Sequence, residues 1–208
     1  MQDRCFIDGE ADNWHARNAA HLGTPECIAN DWPLRMIAEA KLQPKRILEA
    51  GCGNGWRLRV LQDMYGPDVY VSGFDPSVEA SDAGLKAGLN VRVATIAGPP
   101  VEGFSPFSPP YDLVIVSYVF HWVDRATLLQ SVANLDAHLE MGGHILINDF
   151  WVGSRFAKRR YHHRQDIELW TYKADYSWLF RATGMYRSIK TVLYPYDGGD
   201  TQGCCTLL

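Results

Sequence analysis

A carboxylate followed by alternating glycines, Glu49-Ala50-Gly51-Cys52-Gly53-Asn54-Gly55, is the stretch of this sequence best suited to receive a ligand. Residues 45–49 read as a buried strand and Arg57-Leu58-Arg59-Val60-Leu61-Gln62 as the start of a helix. Glycine lacks a Cβ and tolerates positive φ, so a ligand can approach the backbone of such a turn. The acid just before it suits a cationic ligand; a plain strand-to-helix turn is the alternative. Asp75 ends a second apolar run, residues 69–74. A carboxylate at such a strand tip can accept from both hydroxyls of a ribose, and it also suits a helix cap ahead of Pro76. His121 lies just past the apolar run at 111–116, and His162 stands in Tyr161-His162-His163-Arg164. Imidazole titrates near neutral pH, so either could act as a general base; packing or solvated roles suit them as well.

The dinucleotide fingerprint G-x-G-x-x-G requires glycine where this chain has Trp56, and a large indole there opposes a pyrophosphate at that helix end. The pattern E-x-G-x-G-x-G instead resembles motif I of the class I S-adenosylmethionine (SAM) methyltransferases. Tyr111-Asp112-Leu113-Val114-Ile115-Val116-Ser117-Tyr118-Val119-Phe120-His121-Trp122 is similar to the fourth-strand motif of the same family, and the likeness covers about residues 45–150. It implies SAM as cofactor and S-adenosylhomocysteine as product. It places Glu49, Gly51, Cys52, Gly53 and Gly55 at the methionine end and Asp75 with Pro76 at the ribose. Thr95 and Ile96 follow the third strand, where many members carry an acid for the adenine amino group. Ser117, Tyr118 and His121 would line the transfer site, with His121 or His162 removing a proton. Two departures narrow the chemistry. The tip lacks the N/D-P-P-Y/F of base-amino methyltransferases, and Ser117 offers no acid to pair with Asn148-Asp149, so no metal is expected.

The elements that must position these groups alternate between strand and helix. Asp31 and Pro33 start a helix that Pro44 stops; strands follow at 45–49, 69–74, 91–94, 111–116 and 144–150. Pro76 is expected to open the helix after the second strand, and Asp124 to cap the one after the fourth. Alternation predicts a parallel sheet with right-handed crossovers. A helix at 175–183 and a strand at 186–196 lead to the turn Asp197-Gly198-Gly199-Asp200 and a returning strand at 202–208. The expected fold is α/β and Rossmann-like: seven strands, mostly parallel, with a C-terminal antiparallel hairpin and helices on both faces. One domain of 208 residues accommodates it, with 1–31 as an arm or lid, 32–150 as the SAM-binding core, 151–174 covering the acceptor and 175–208 as last helix and hairpin.

Net charge is −4, which disfavours non-specific nucleic-acid binding. Five cysteines without a C-x-x-C suggest neither a disulfide framework nor zinc. The N-terminus does not read as a signal peptide and no apolar run reaches the ~20 residues of a membrane span, so a soluble cytoplasmic protein is expected. Arg155, Lys158, Arg159, Arg160 and Arg164 form a basic cluster that suits a small anionic acceptor. Trp14-His15-Ala16-Arg17-Asn18 and Tyr172-Lys173-Ala174-Asp175-Tyr176 are similar to bacterial surface-sugar methyltransferases, including pseudaminic-acid-associated ones, which implies a saccharide or nucleotide-sugar acceptor. The expected reaction is methyl transfer to an oxygen or nitrogen. The alternatives are a catalytically silent SAM-binding module, an RNA methyltransferase and an NAD(P)-dependent oxidoreductase.

Overall fold

A computed structural model of the chain describes residues 2–98, 110–153, 156–164, 166–196 and 201–208. Residues 99–109, Arg155 and the expected turn at 197–200 lie outside the described residues.

An arm comes first: α1 (Gln2–Cys5), a π-turn (Phe6–Glu10) containing Gly9 at φ 123°, α2 (Ala11–Asn18) and α3 (Pro25–Ala29). Helix α4 (Trp32–Glu39) starts as expected, with the Asp31 carboxylate accepting from the Leu34 N–H at 2.9 Å. The alternating core follows: β1 (Arg46–Ala50), α5 (Trp56–Tyr65), β2 (Tyr70–Asp75), α6 (Val78–Lys86), β3 (Asn90–Val93), β4 (Tyr111–Ser117), α7 (Leu128–His138) and β5 (Leu139–Trp151). A short antiparallel pair, β6 (Ala157–Arg160) and β7 (Trp170–Lys173), precedes α8 (Ser177–Arg181), β8 (Lys190–Pro195) and β9 (Gln202–Leu207).

The main sheet has seven strands in the order β3-β2-β1-β4-β5-β9-β8. Strands β1 to β5 are parallel; β9 runs antiparallel to β5, and β8 antiparallel to β9. The expected fold class holds, C-terminal hairpin included. Side chains alternate across each strand. Ile47, Leu113 and Ile115 therefore pack with Leu34 and Ile37 of α4 and Leu58 and Leu61 of α5 on one face. Leu48, Ala50, Val114 and Val116 pack with Leu135 of α7 and Phe180 of α8 on the other. The chain turns outward in opposite directions from β1 and β4, which leaves a crevice at their C-terminal ends, the usual place for a ligand in such sheets.

Four expectations need correction. Pro76 does not open α6: Ser77 is its N-cap, accepting from the Ala80 N–H at 2.9 Å. Asp124 does not cap α7, whose N-cap is Thr127. Its carboxylate accepts instead from the N–H groups of Gln2 (3.0 Å) and Ala126 (3.2 Å), so the arm claims the residue that would otherwise start the helix. Strand β5 begins at Leu139 rather than 144, where it pairs with Tyr111 before a register shift. Within the segment after β5, Ala157–Arg160 and Trp170–Lys173 form the β6–β7 pair, and residues flanking it lie against the arm: Phe6 and Ala11 pack with Tyr161, Leu169 and Trp122.

Candidate active site

A cavity of about 720 Å³ opens at the strand ends beneath the arm. Its floor is the glycine turn. Gly51, Gly53 and Gly55 all have positive φ, at 72°, 56° and 76°. The N–H groups of Gly51 and Cys52 donate to the Phe74 carbonyl at 2.7 and 3.1 Å, and the Gly53 N–H donates to Asp75 Oδ2 at 2.8 Å. The turn is thus fastened to the end of β2. A Cβ on Gly51 would collide with Val119 Cγ2, whereas one on Gly53 would meet only Leu22 of the arm, at 3.9 Å. Gly53 is the glycine that leaves backbone open to the cavity. Gly55 faces away, toward Leu89 and Val91, and does not line the cavity.

Glu49 and Asp75 stand at the tips of β1 and β2, and both line the cavity. Asp75 accepts from Gly53 through one oxygen and from the Ser77 N–H through the other at 2.9 Å. Burial pushes its carboxyl above the usual carboxylate range, against the pull of those two hydrogen bonds. Glu49 is 1% exposed. One of its oxygens pairs with Arg57; the other, Oε2, is buried without a hydrogen-bond partner. Such an atom carries a desolvation cost that a cationic donor would relieve.

Arg57 was not among the expected site residues. Its guanidinium also grips Asp31, with Nη2 2.8 Å and Nε 3.1 Å from the carboxylate. From there a polar chain crosses the cavity wall. Asn148 Nδ2 donates to Ser117 Oγ at 3.0 Å, the Tyr194 hydroxyl donates to Asn148 Oδ1 at 2.5 Å, and the Tyr118 and Tyr194 hydroxyls are 2.8 Å apart. Tyr118 has φ 57°, one of two non-glycine residues with positive φ among those described. Holding a tyrosine there costs about 1–3 kcal/mol, a strain that clusters at ligand sites. Burial pushes both tyrosine hydroxyls well above their usual range, so they are protonated at neutral pH.

Of the twelve residues expected at the cofactor, ten line this cavity: Glu49, Gly51, Cys52, Gly53 and Asp75, and then Pro76, Thr95, Ile96, Ser117 and Tyr118. Gly55 and His121 do not. His121 is 3% exposed and sits behind the wall, its Nδ1 2.8 Å from Asp149 Oδ1 and its N–H donating to Asp149 Oδ2 at 3.2 Å. Phe150 and Trp122 pack against its ring at 4.7 and 4.6 Å. His162 is exposed next to His163, with ring centroids 3.9 Å apart, and does not line the cavity. Neither expected base faces the space where a reaction would occur. The basic cluster is outside it too: Lys158, Arg159 and Arg160 are exposed on β6, and Arg164 pairs with Asp166 and Glu10. Sequence reasoning missed Arg57, Asp31, Trp32, Tyr194 and Tyr196, which do line it. Among the described residues no group of three or more His, Cys, Asp or Glu side chains is placed to hold a metal ion, and no helix is long and apolar enough to cross a membrane.

A parallel α/β sheet with a glycine turn and two acids at its strand tips defines a nucleotide-binding type of site. Comparison with known proteins is narrower: residues 21–190 match a family of methyltransferase domains, and the chain belongs to it. A curated malonyl-acyl-carrier-protein O-methyltransferase of Halalkalibacterium halodurans is 28% identical over 156 residues, 70% of this chain and 56% of that protein. Another of the same description from Bacillus anthracis is 30% identical over 105 residues, 50% of this chain and 37% of that protein. The chain thus spans about half the length, or less, of the curated relatives it matches. The crystal structure of 1,6-didemethyltoxoflavin N1-methyltransferase from Burkholderia thailandensis, with 1,6-didemethyltoxoflavin and S-adenosylhomocysteine bound, superposes with a TM-score of 0.72 at 12% identity, over 99% of this chain and 88% of that one. The N-methyltransferase NodS of Bradyrhizobium japonicum gives 0.58 at 12% identity, over 94% and 95%.

Proposed function

We propose that this chain transfers a methyl group from SAM to a nitrogen or oxygen of a small acceptor within the 720 Å³ cavity. The observation that carries the reading is Glu49 Oε2, a buried carboxylate oxygen without a partner at the lip of the glycine turn. An ammonium, such as that of an amino-acid end, satisfies it. Gly53 offers open backbone beside it, and Asp75 places a carboxylate where a ribose would present its hydroxyls. Pro76, Thr95 and Ile96 continue the wall where the adenine would lie. These residues fit SAM as a group. When bound, SAM supplies an electrophilic methyl on a cationic sulfur. The chain contributes positioning: a held acceptor in line with that methyl turns a bimolecular encounter into an effectively unimolecular one. The arm covers the cavity and limits water.

The acid-terminated acceptor of the curated relatives finds less support here, because the guanidinium of Arg57 is already engaged by Asp31 and Glu49. The saccharide acceptor retains only the aromatic wall, on which a sugar ring can stack. Isothermal calorimetry with S-adenosylhomocysteine and, separately, NADH tests the reading. Binding of S-adenosylhomocysteine in the micromolar range with none of NADH is expected. Tight binding of NADH alone overturns it.

A further inference from the structure

Another part of the cavity lining differs in chemistry from the glycine turn. Trp32 stacks on Tyr194 with centroids 4.6 Å apart at 17°. Tyr118 touches Tyr194 through their hydroxyls and lies 5.8 Å from the Tyr196 ring. These four side chains line the cavity as one continuous aromatic wall, and Phe150 backs it at 5.1 Å from Tyr118 and 4.7 Å from Tyr196. Aromatic faces carry negative electrostatic potential, which favours flat rings and cations.

Charge points the same way. Among the described residues, the carboxylates lining the cavity are those of Asp3, Glu26, Asp31, Glu49 and Asp75, and its guanidiniums are only Arg35 and Arg57. Arg57 is held by Asp31 and Glu49. Arg35 donates to the Ala29 carbonyl and lies over the Trp32 ring at 5.0 Å. Among the described residues no lysine lines the cavity, and the basic strand β6 is outside it. An anion placed here would meet five carboxylates, with Arg35 alone among the lining cations not already paired to an acid to offset them.

The four wall residues offer no base of their own; the carboxylates and His21 that line the cavity stand on the arm, at the start of α4 and at the strand ends. The hydroxyls of Tyr118 and Tyr194 are tied to one another and to Asn148. His121 lies behind the wall, and the histidine that does line the cavity, His21, is exposed on the arm. An alcohol needs its proton removed as it attacks; a neutral nitrogen brings its own lone pair.

Resting on the proposed function, we infer that the acceptor is a flat aromatic or heteroaromatic nitrogen compound, uncharged or cationic, packed against the Tyr118–Tyr196 side of this wall and methylated on nitrogen. The nitrogen lone pair forms the new bond to the methyl carbon as the carbon–sulfur bond breaks. The electron pair of that bond passes to sulfur, leaving S-adenosylhomocysteine, and a proton leaves the methylated nitrogen for water.

Charge and ring can be separated with four small molecules. Tryptamine, tryptophol and indole-3-acetate share one ring and differ in charge; n-hexylamine keeps the charge of tryptamine without the ring. Calorimetry first establishes S-adenosylhomocysteine binding, and each compound is then titrated into the saturated protein. Tryptamine is expected to bind at least tenfold more tightly than indole-3-acetate and than n-hexylamine. A preference below tenfold on either comparison, or no binding of any of the four at millimolar concentration, overturns the inference while the cofactor reading stands. Failure of S-adenosylhomocysteine itself to bind removes the proposed function and this inference together.

Discussion

The floor and the roof of the cavity are built in opposite ways. The floor comes from strand ends, with Glu49 through Gly53, Asp75 and Ser117 held by backbone hydrogen bonds and by the left-handed geometry of the glycines. The roof comes from pieces far apart in the chain: the arm, Asp31, Trp32 and Arg35 at the start of α4, and Tyr194 and Tyr196 at the end of β8. Backbone dictates the floor, so it tolerates few changes of shape and suits an invariant ligand. Side chains dictate the roof, so it can be recut for another acceptor without disturbing the sheet. Arg57 joins the two, one side of its guanidinium on Asp31 of the roof and the other on Glu49 of the floor.

That joint should yield the largest effect. Arg57→Leu leaves two buried carboxylates uncompensated, in a pair whose side chains are less than a tenth exposed. Breaking such a pair costs about 3–5 kcal/mol, read as a lower urea midpoint at pH 7. A loss under about 1 kcal/mol, the range of exposed pairs, would mean that floor and roof are not joined through this residue.

A smaller effect is expected where the arm meets α6. Asp12 accepts from the Ser77 hydroxyl at 2.7 Å and from the Glu79 N–H at 3.0 Å. Desolvation opposes its charge, yet these hydrogen bonds, Ser77 foremost, hold the carboxyl below the usual carboxylate range. Its folded pKa therefore lies below the unfolded value of about 3.9. The stabilisation is fully present above that value and is lost as pH falls through the folded pKa. Asp12→Asn should destabilise the protein by about 1 kcal/mol at neutral pH, as loss of a helix cap does. The difference in thermal midpoint from wild type should close as the pH drops below about 4. A difference that stays constant from neutral to acid would show that the arm is not latched by this charge.

The same contrast explains what could be read in the sequence. The runs at 45–49 and 111–116 are apolar on both faces because β1 and β4 are covered on both sides, so they stand out. The glycine turn and Asp75 stand out because few residue types suit such positions. The tetrad 197–200 marked the C-terminal hairpin through the strands on either side of it. Arg57 gave no signal, since an arginine in the first turn of a helix reads as surface; only the fold brings Glu49 and Asp31 to it. His121 gave a misleading one. It sits in the right motif, but a 3-10 turn at Phe120–Trp122 swings its ring behind the wall onto Asp149. The basic run at 158–160 lies outside the cavity: charge and proximity in sequence do not say which side of the β6–β7 pair faces it. The arm, polar and irregular, could be read only as an ordered segment, because its contacts with Trp122 and Trp170 lie more than a hundred residues away.

The claim at the centre of this account is that the floor holds SAM through Asp75. The direct measurement is calorimetric titration of S-adenosylhomocysteine into wild type and Asp75→Asn under the same conditions. Asparagine keeps the size of the side chain but only one of the two acceptors that Gly53 and Ser77 use, so some loss of stability is expected and both proteins are titrated below their thermal midpoints. Removing a charged hydrogen-bond acceptor is worth about 1.5–3 kcal/mol, so the affinity should fall at least tenfold. Equal affinities for the two proteins would contradict the account.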